Sequence, residues 1–332
     1  MKEKIKAVSL LSGGLDSILA ARVIMDQGID VTGIFFSAPF WSSSEKEDNL
    51  IKKAAEENGM EVMIIPVGED YLDIIKNPKH GWGKHINPCI DCKIYMLQKA
   101  KEIMEKIGAS FVVTGEVLGQ RPMSQQKNSL NLIEKESGLK GRLVRALSAK
   151  LLDPTEPEIK GILDREKLAD ISGRTRKMQY ELAKKYKVNL FSSPAGGCLL
   201  TEKIFEKRFK DLLKHNKDIK IDDITFLKYG RHYRFNDSKI IVGRNEKENE
   251  FLLKNKYAGD LVFEVPEIGS PNTLLQGNKS DEAIKLAARL TALYSDSLDK
   301  KIEVLFGEKD LSKKIKVSQI TKEEANKYNI SL

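Results

Sequence analysis

Three cysteines are the residues of this chain whose chemistry depends most on their placement. Cys89 and Cys92 form a C-x-x-C pair at the start of a predicted helix, and Cys198 follows two glycines much later in the chain. Helix N-termini lower thiol pKa values, so the pair is expected to be reactive. An odd cysteine count, in a chain whose first residues do not predict a signal peptide, argues against a disulfide framework. The three thiols therefore indicate metal binding or nucleophilic sulfur chemistry.

A second chemical signal is the stretch LLSGGLDS, which runs from Leu10 to Ser17. An apolar segment typical of a buried strand leads into Gly13 and Gly14, and apolar residues at helical spacing follow. Such a turn brings backbone N–H groups close to a ligand, and the helix N-terminus adds partial positive charge. No Gly-Lys-Ser/Thr follows, so this is not a Walker A loop. A ligand that carries phosphate is the first expectation, and a tight turn that binds nothing is the alternative.

The elements around these residues predict an α/β fold. Strand and helix patterns alternate through the first part of the chain, which indicates a doubly wound parallel sheet with ligands outside the carboxyl ends of the strands. Predicted strands are 4–11, 30–37, 61–67 and 110–115, and predicted helices are 16–27, 45–58 and 91–107. After residue 216 the sequence pattern predicts short strands, with a turn at 236–238. We predict a first domain at 1–216, of which 148–216 is a mainly helical extension, and a smaller α+β domain at 217–332.

Composition narrows the classes of function. The 332 residues include 41% hydrophobic and 31% charged residues, which is typical of a globular protein rather than a disordered one. No apolar run reaches the roughly 18 residues that a membrane span needs, so no membrane partner and a cytoplasmic location are expected. The net charge of +8 suits a polyanionic partner such as RNA.

The glycine turn resembles the pyrophosphate loop of the adenine nucleotide alpha-hydrolase (HUP) superfamily, whose members are also called N-type ATP pyrophosphatases or PP-loop enzymes. These enzymes cleave ATP between the α and β phosphates, adenylate a carbonyl oxygen and use Mg²⁺. The resemblance implies that Asp16 is catalytic. It further implies ATP-binding residues, which are Leu11, Ser12, Gly13, Gly14, Asp16, Ser17, Phe36 and Gly115.

The cysteine segments narrow the resemblance. NPCIDC, together with the third cysteine in SPAGGC, is similar to the tRNA thiouridine synthetases, and TGEVLGQRPMSQ resembles a segment of the 4-thiouridine synthetases. One departure is that many 2-thiouridylases carry an aspartate where this chain has Cys89. The resemblance implies an ATP-dependent tRNA sulfurtransferase that adenylates uridine 8 or 34 and replaces its carbonyl oxygen with sulfur.

Three interpretations of the cysteines remain open. The first, which we favour, is that Cys89, Cys92 and Cys198 ligate a four-iron, four-sulfur cluster, as in the cluster-dependent thiolases of this superfamily. The second is that Cys198 carries a persulfide that one member of the pair resolves. The third is structural zinc, which needs a fourth ligand such as His80 or His85.

Candidate RNA contacts fall in both domains. In the first domain Arg145 could contact phosphates of ATP or RNA, and the predicted RNA-binding residues are Lys84, Gln120, Arg121 and Lys127. The stretch from Tyr229 to about Thr273 resembles the RNA-binding domain of NFACT proteins. That resemblance implies phosphate contacts by Arg231, His232, Arg234 and Arg244.

The partners implied are tRNA and a sulfur donor, either sulfide or a persulfide carrier such as a cysteine desulfurase. A homodimer is compatible with the sequence, which does not set the oligomeric state. Two competing functions stay open. One is a PP-loop enzyme that adenylates a small molecule for sulfur or nitrogen transfer, and the other is a regulatory RNA- or ribosome-binding protein with a nucleotide-sensing domain.

Overall fold

The computed structural model of this chain describes residues 4–40, 45–191 and 198–332. Two compact units are present, Met1–Thr201 and Glu202–Leu332. The division lies earlier than the predicted boundary after residue 216. The reason is that helix 203–215 packs in the second unit, where Arg208 donates hydrogen bonds to the carbonyl oxygens of Leu227 and Gly230 at 2.6 and 3.1 Å.

Unit 1 contains the predicted parallel sheet. Its five strands are β1 (Lys6–Leu11), β2 (Asp30–Ser37), β3 (Glu61–Pro66), β4 (Phe111–Thr114) and β5 (Leu143–Val144). They lie in the order β3-β2-β1-β4-β5, and all neighbours are parallel. The doubly wound α/β expectation is confirmed. Because β1 has β2 on one side and β4 on the other, the strand order reverses there, and ligands of such sheets bind outside the carboxyl ends at this point.

The helices of unit 1 connect and flank these strands. They are α1 (Leu15–Met25), α2 (Glu45–Glu57), α3 (Asp70–Lys76), α4 (Cys89–Lys106), α5 (Lys127–Glu136), α6 (Glu156–Ile159) and α7 (Lys177–Tyr186). One core joins α1 to the sheet through fully buried Leu19 and Ile24, which pack with Phe111 and Val113. Apolar residues at both strand and helix spacing build this core, so the sequence periodicity predicted its members.

Unit 2 is built on an antiparallel sheet. Its strands are β6 (Arg231–Phe235), β7 (Ser238–Val242), β8 (Leu261–Glu264), β9 (Thr273–Gly277), β10 (Ile302–Gly307) and β11 (Lys313–Val317). Their order is β11-β10-β8-β9-β7-β6. The predicted turn at 236–238 joins β6 and β7, with Asn236 at φ +49°. Asparagine tolerates this left-handed conformation better than most residues.

Helices cover both faces of this second sheet. They are α8 (Lys203–His215), α9 (Ile221–Phe226), α10 (Glu246–Asn255), α11 (Asp281–Leu293) and α12 (Lys322–Asn326). Ile240 packs in the core that contains α11, whereas Ile241 packs with Phe226 of α9 and Leu252 of α10. Successive strand residues point to opposite faces, so the single strand β7 contributes to both cores. In the described part of the chain, no helix combines the length and the apolar character needed to cross a bilayer.

Candidate active site

The glycine turn forms a compact loop between β1 and α1. Gly13 adopts φ +72°, a conformation that glycine reaches without steric cost. The Ser17 hydroxyl donates to the Gly14 carbonyl oxygen at 2.8 Å, and the Ser12 N–H donates to the Ser17 hydroxyl at 3.1 Å. Gly14 is the N-cap of α1 and contributes no side-chain cap. The first N–H groups of the helix therefore face a prospective ligand without a capping side chain.

Gly115 contacts this loop from the end of β4. A Cβ atom built on Gly115 would lie 2.5 Å from the Asp16 carbonyl oxygen and 2.6 Å from the Ser17 nitrogen. Only glycine fits such an approach of two backbones. Leu11 and Phe36, also predicted to bind ATP, are 6% and 4% exposed in β1 and β2, so their side chains pack in the interior. Any contact that they make with a nucleotide would come from the backbone.

Asp16 gathers polar side chains at the loop. Its Oδ2 accepts a hydrogen bond from Gln120 Nε2 at 3.1 Å and lies 3.9 Å from Nη2 of Arg176. Its Oδ1 is buried without a hydrogen-bond partner among the described residues. Gln120, which was predicted to contact RNA, thus contacts Asp16 of the glycine loop. Sequence reasoning missed Arg176, whose only signal was a basic stretch after the sheet.

The three cysteine segments converge at the same edge of the sheet. Cys89 and Cys92 lie in the first turn of α4, which begins at the carboxyl edge because it precedes β4. The thiol of Cys198 lies 3.7 Å from the carbonyl oxygen of Phe40, just beyond β2. Ile86, three residues before Cys89, donates its N–H to the Leu200 carbonyl oxygen at 3.2 Å. The two glycines before Cys198 fall outside the described residues.

Tyr71 lies among the three thiols. Its ring is fully buried and stacks on Phe40, with centroids 5.2 Å apart. Burial raises the pKa of Tyr71 well above its usual value, and the Cys92, Cys198 and Cys89 thiols act on it in the same direction. All three thiols therefore lie near enough to this buried tyrosine to affect its pKa. The sequence offered no signal for it.

Burial reverses the reactivity expected of Cys92. Loss of solvent raises the pKa of this thiol to about 11, although a hydrogen bond with Tyr71 and the nearby Lys93 ammonium both lower it. Desolvation of the thiolate therefore outweighs the helix N-terminus that was expected to lower the pKa. As the chain stands, Cys92 is a protonated thiol at neutral pH.

Single-ion coordination does not fit the thiols as they stand. Within the described ranges, no three His, Cys, Asp or Glu side chains are close enough to hold one metal ion, and none of the three cysteines forms a disulfide. His80, a candidate fourth zinc ligand, instead places Nε2 3.1 Å from Glu136 Oε2 and donates its backbone N–H to Asp91. Contact with Glu136 therefore occupies one of the two histidines that are candidates for the fourth zinc ligand.

A buried ionic network joins the cysteine helix to the nucleotide loop. Glu116, next to Gly115, is 2% exposed; its Oε1 lies 3.9 Å from Lys93 Nζ, and its Oε2 accepts from Arg145 Nε at 3.2 Å. Arg145 also pairs with Glu134 at 2.7 Å and is 4% exposed. The expectation that Arg145 contacts a phosphate of ATP or RNA is wrong for this structure, because its guanidinium is enclosed by carboxylates. Through Gly115 and Lys93, this segment touches both candidate centres.

The other basic residues predicted in unit 1 lie at the surface. Lys84, Arg121 and Lys127 are all exposed, which leaves them available to an anionic partner. A cavity of about 700 Å³ opens beside α5 and β5, and its lining includes Lys127 and Glu134. Neither the glycine loop nor a cysteine lines this cavity, so it is separate from the candidate active site.

The three arginines predicted to bind RNA in unit 2 are all engaged within the fold. Arg234 pairs with both carboxylate oxygens of Asp211, at 3.0 and 2.5 Å. Arg244 pairs in the same way with Glu248, which raises the arginine pKa. Arg231 donates to the Gly243 carbonyl oxygen at 3.3 Å and lies over the Tyr294 ring at 4.2 Å. Carboxylates thus match the charges of Arg234 and Arg244, whereas a carbonyl oxygen and an aromatic ring hold Arg231. The expectation that His232 contacts a phosphate is wrong for this structure, because its side chain is fully buried.

Two family models match this chain. Residues 3–147 match the thiamine biosynthesis protein ThiI, and residues 230–329 match the NFACT protein RNA-binding domain. A probable tRNA sulfurtransferase of Thermococcus kodakarensis is 31% identical over 136 residues, which cover 40% of this chain and 35% of that protein. The chain spans about a third of the length of the curated relatives that it matches.

Solved structures show lower similarity. A crystal structure of a 4-thiouridine synthetase–RNA complex with bound ATP is 24% identical, with a TM-score of 0.36, over 55% of this chain and 51% of that one. The U34-tRNA thiolase NcsA of Methanococcus maripaludis, with its 4Fe–4S cluster, is 20% identical, with a TM-score of 0.35, over 64% and 68% of the two chains. The strand order, the glycine loop and the matched family models agree with one another. Over residues 3–147 the first unit is similar to the ThiI family, and over residues 230–329 the second unit is similar to the RNA-binding domain of the NFACT proteins.

Proposed function

We propose that this protein is an ATP-dependent tRNA sulfurtransferase. The uridine carbonyl oxygen attacks the α-phosphorus of ATP, pyrophosphate leaves, and the carbonyl carbon becomes bonded to an adenylate leaving group. A sulfur nucleophile then attacks that carbon, AMP departs with the former carbonyl oxygen, and the uridine keeps the sulfur. With sulfide as the donor, no electrons are transferred, and one proton is released for each sulfur introduced.

The glycine loop supplies the nucleotide half of this chemistry. The N–H groups at the start of α1 and the hydroxyl of Ser12 would hold the phosphates, since helix N-termini favour anions. Asp16 would ligate Mg²⁺ through the buried Oδ1 that lacks a partner among the described residues. Gly115 would keep the base end of the nucleotide close to the strand edge. These groups offset the charge that builds up on the departing pyrophosphate.

The sulfur half uses the cysteines. Cys89, Cys92 and Cys198 would hold a four-iron, four-sulfur cluster, which when bound supplies an iron with an open position for a sulfur atom. Such clusters take thiolate ligands on separate irons, so the ligands need not meet at one point. Three soft donors around Tyr71 suit this arrangement better than they suit one zinc ion. Deprotonation of Cys92 would then accompany ligation.

A persulfide route remains as the second form of the same function. Cys198 would carry the terminal sulfur, and a thiol of the pair would attack the inner sulfur as the terminal sulfur leaves for the uridine. The product would be a disulfide that an external thiol must reduce before the next turnover. The high pKa of Cys92 weighs against this route, because the protonated thiol is a poor nucleophile.

The NFACT-type domain is proposed to help bind tRNA, with phosphate contacts by Arg231, Arg234 and Arg244 in competition with their internal partners. Lys84, Arg121 and Lys127 are proposed to meet the tRNA in unit 1. The target uridine would be unpaired or flipped, because its carbonyl must reach the nucleotide. The proposal includes a cytoplasmic setting and sulfide or a persulfide carrier such as a cysteine desulfurase as donor. Whether the protein is a homodimer can be determined by measuring its molecular mass in solution.

One observation carries this proposal. Gly115 touches the nucleotide loop, and its neighbour Glu116 lies 3.9 Å from Lys93, which directly follows Cys92. The proposed nucleotide loop and the proposed thiol centre are thus linked by two contacts and the covalent neighbours Gly115–Glu116 and Cys92–Lys93. Adenylation and sulfur transfer at a single uridine require such adjacency.

The test is mass spectrometry of tRNA nucleosides from a strain that lacks this gene. Loss of 4-thiouridine would identify position 8, and loss of a 2-thiouridine derivative would identify position 34. Protein purified without oxygen should be brown and lose its visible absorption in each Cys→Ala variant. An unchanged set of thiolated nucleosides would refute the function, whereas full activity in a colourless protein would refute only the cluster.

A further inference from the structure

Arg176 approaches Asp16 as loosely as Arg142 approaches Glu105 at the surface of unit 1, but the Asp16 side chain is only 18% exposed. Arg176 Nη2 lies 3.9 Å from Asp16 Oδ2, and the arginine side chain is 30% exposed. Arg145 and Arg165, by contrast, approach their glutamates at 2.7 and 2.6 Å. A planar guanidinium carries five N–H donors, and one contact at 3.9 Å does not satisfy them. Arg176 therefore lies beside the glycine loop with N–H donors that can still bind a ligand.

The fold fixes this arginine at the loop. Ser172 forms a β-bridge with Leu118, and the Gly173 N–H donates to the Leu118 carbonyl oxygen at 2.8 Å. Arg176 is the N-cap of α7, and α7 packs against α1 through Ala183 in the shared core. The segment before α7 thus lies beside the segment that carries Gln120, and both reach Asp16. The position follows from backbone pairing and core packing rather than from the ion pair.

A second observation marks the same point as a ligand site. Asp16 Oδ1 is buried and has no hydrogen-bond partner among the described residues, although its Oδ2 has Gln120 and Arg176. A carboxylate oxygen without a partner beside an incompletely satisfied guanidinium is costly in a loop that binds nothing. A nucleotide with its metal ion would satisfy both, the cation at Asp16 and the phosphate at Arg176.

We propose that Arg176 is a phosphate ligand of this site and binds the β- and γ-phosphates of ATP, which depart as pyrophosphate. The inference rests on the proposed placement of ATP on the Gly13–Gly14 loop. Arg176 lies near the first turn of α1, where the terminal phosphates meet the helix N-terminus. Arginine binds phosphate through two parallel N–H donors, which gives both charge and orientation. Its charge would increase the stabilisation of the leaving group as the α–β bond breaks.

The test compares dissociation constants for ATP, pyrophosphate and AMP by calorimetry with the full-length protein. In Arg176→Gln, ATP and pyrophosphate should bind about 10- to 100-fold more weakly, in line with a charged hydrogen bond, and AMP should bind as in the wild type. Arg176→Lys should give an intermediate loss for ATP, because it keeps the charge and loses the second donor. A merely structural arginine would weaken all three ligands by the same factor.

Arg165→Gln is the matched control. Arg165 has 29% side-chain exposure and pairs with Glu158, away from the loop, so its removal should leave all three dissociation constants unchanged. Equal losses for ATP and AMP in Arg176→Gln, or no loss for ATP, would overturn the inference. If that variant does not fold, an ATP affinity of Arg176→Lys equal to the wild type would overturn it. Failure of the wild type to bind ATP would instead refute the proposed function itself.

Discussion

The glycine loop of unit 1 and the arginines on and beside strands β6 and β7 of unit 2 use charge in opposite ways. At the loop, Asp16 keeps one buried oxygen without a partner among the described residues, and Arg176 stands at 3.9 Å from the other. In unit 2, Arg234 and Arg244 each hold a carboxylate with short, paired hydrogen bonds. The loop has hydrogen-bonding groups that can still bind a ligand, whereas in unit 2 these groups bind one another and hold the elements of the domain together.

This difference separates two kinds of sequence signal. A motif such as SGGLDS fixes the backbone conformation, and a turn that leaves N–H groups exposed is suited to bind an anion. A basic residue constrains only charge, and a nearby carboxylate satisfies that charge as readily as a phosphate does. Arg234 shows the consequence, because Asp211 lies on α8, which the sequence had assigned to the other domain.

The largest effect is expected at Gly115. Gly115→Ala places a methyl group 2.5 Å from the Asp16 carbonyl oxygen, so the loop must shift. A displacement of about 1 Å at a reacting centre costs about 100-fold in rate, and the ATP-dependent activity should fall by that order. Pyrophosphate release in the presence of tRNA measures it. Gly108→Ala is the control, since a Cβ there meets nothing within 4 Å and its strained φ of +68° affects stability alone. Equal activities in the two variants would remove the loop from the account.

The buried network gives the next effect. Glu116→Ala leaves Arg145 with one carboxylate fewer and Lys93 without its partner, and breaking a buried pair costs about 3–5 kcal/mol. The free energy of unfolding of unit 1, measured in urea, should fall by that amount. Glu105→Ala breaks a surface pair with Arg142 and should cost less than about 1 kcal/mol. Similar losses in both variants would contradict the burial argument.

Arg234 tests the contrast between the two regions directly. Arg234→Ala removes a paired contact with Asp211 and should lower the unfolding free energy by about 1–3 kcal/mol. If the arginine serves the fold alone, the slope of log affinity for tRNA against log salt stays unchanged. A slope reduced by about one would mean that Arg234 binds a phosphate despite its partner, which would support the RNA role proposed from the sequence.

The smallest effect concerns pH. Burial lowers the pKa of His232 well below its usual value, and Lys239 and Arg208 act in the same direction. As pH falls below about 6.5, the unfolded chain takes up a proton that the folded chain refuses, so stability is lost toward the folded pKa. His232→Gln should flatten this loss in unfolding scans between pH 7 and 5. An unchanged slope in His232→Gln would contradict the assignment.

The sequence predicted the backbone of unit 1 closely. The first three predicted strands and the cysteine helix begin and end within a few residues of β1, β2, β3 and α4, because buried strands and amphipathic helices differ in apolar spacing. The turn residues likewise predicted the hairpin at Asn236. Local patterning therefore determined the elements and the loop between β1 and α1.

The sequence did not predict which side chains contact one another. Tyr71 meets the thiols, and Arg176 meets Asp16, only after distant segments pack, so neither residue carries a local signal. The protonated state of Cys92 depends on burial, which outweighs the helix N-terminus that the sequence does reveal. The structural division also lies before the predicted boundary because Arg208 of α8 donates hydrogen bonds to Leu227 and Gly230.

Sulfur transfer and adenylation can be separated most directly with Cys198→Ala. Cys198 is proposed to belong to the thiol centre, and its thiol contacts the carbonyl oxygen of Phe40 rather than the glycine loop. With tRNA, ATP and sulfide supplied, this variant should still release pyrophosphate, and it should form no thiouridine by nucleoside mass spectrometry. Thiouridine formed at the wild-type rate would contradict a single site in which these cysteines deliver sulfur to the uridine that the glycine loop activates.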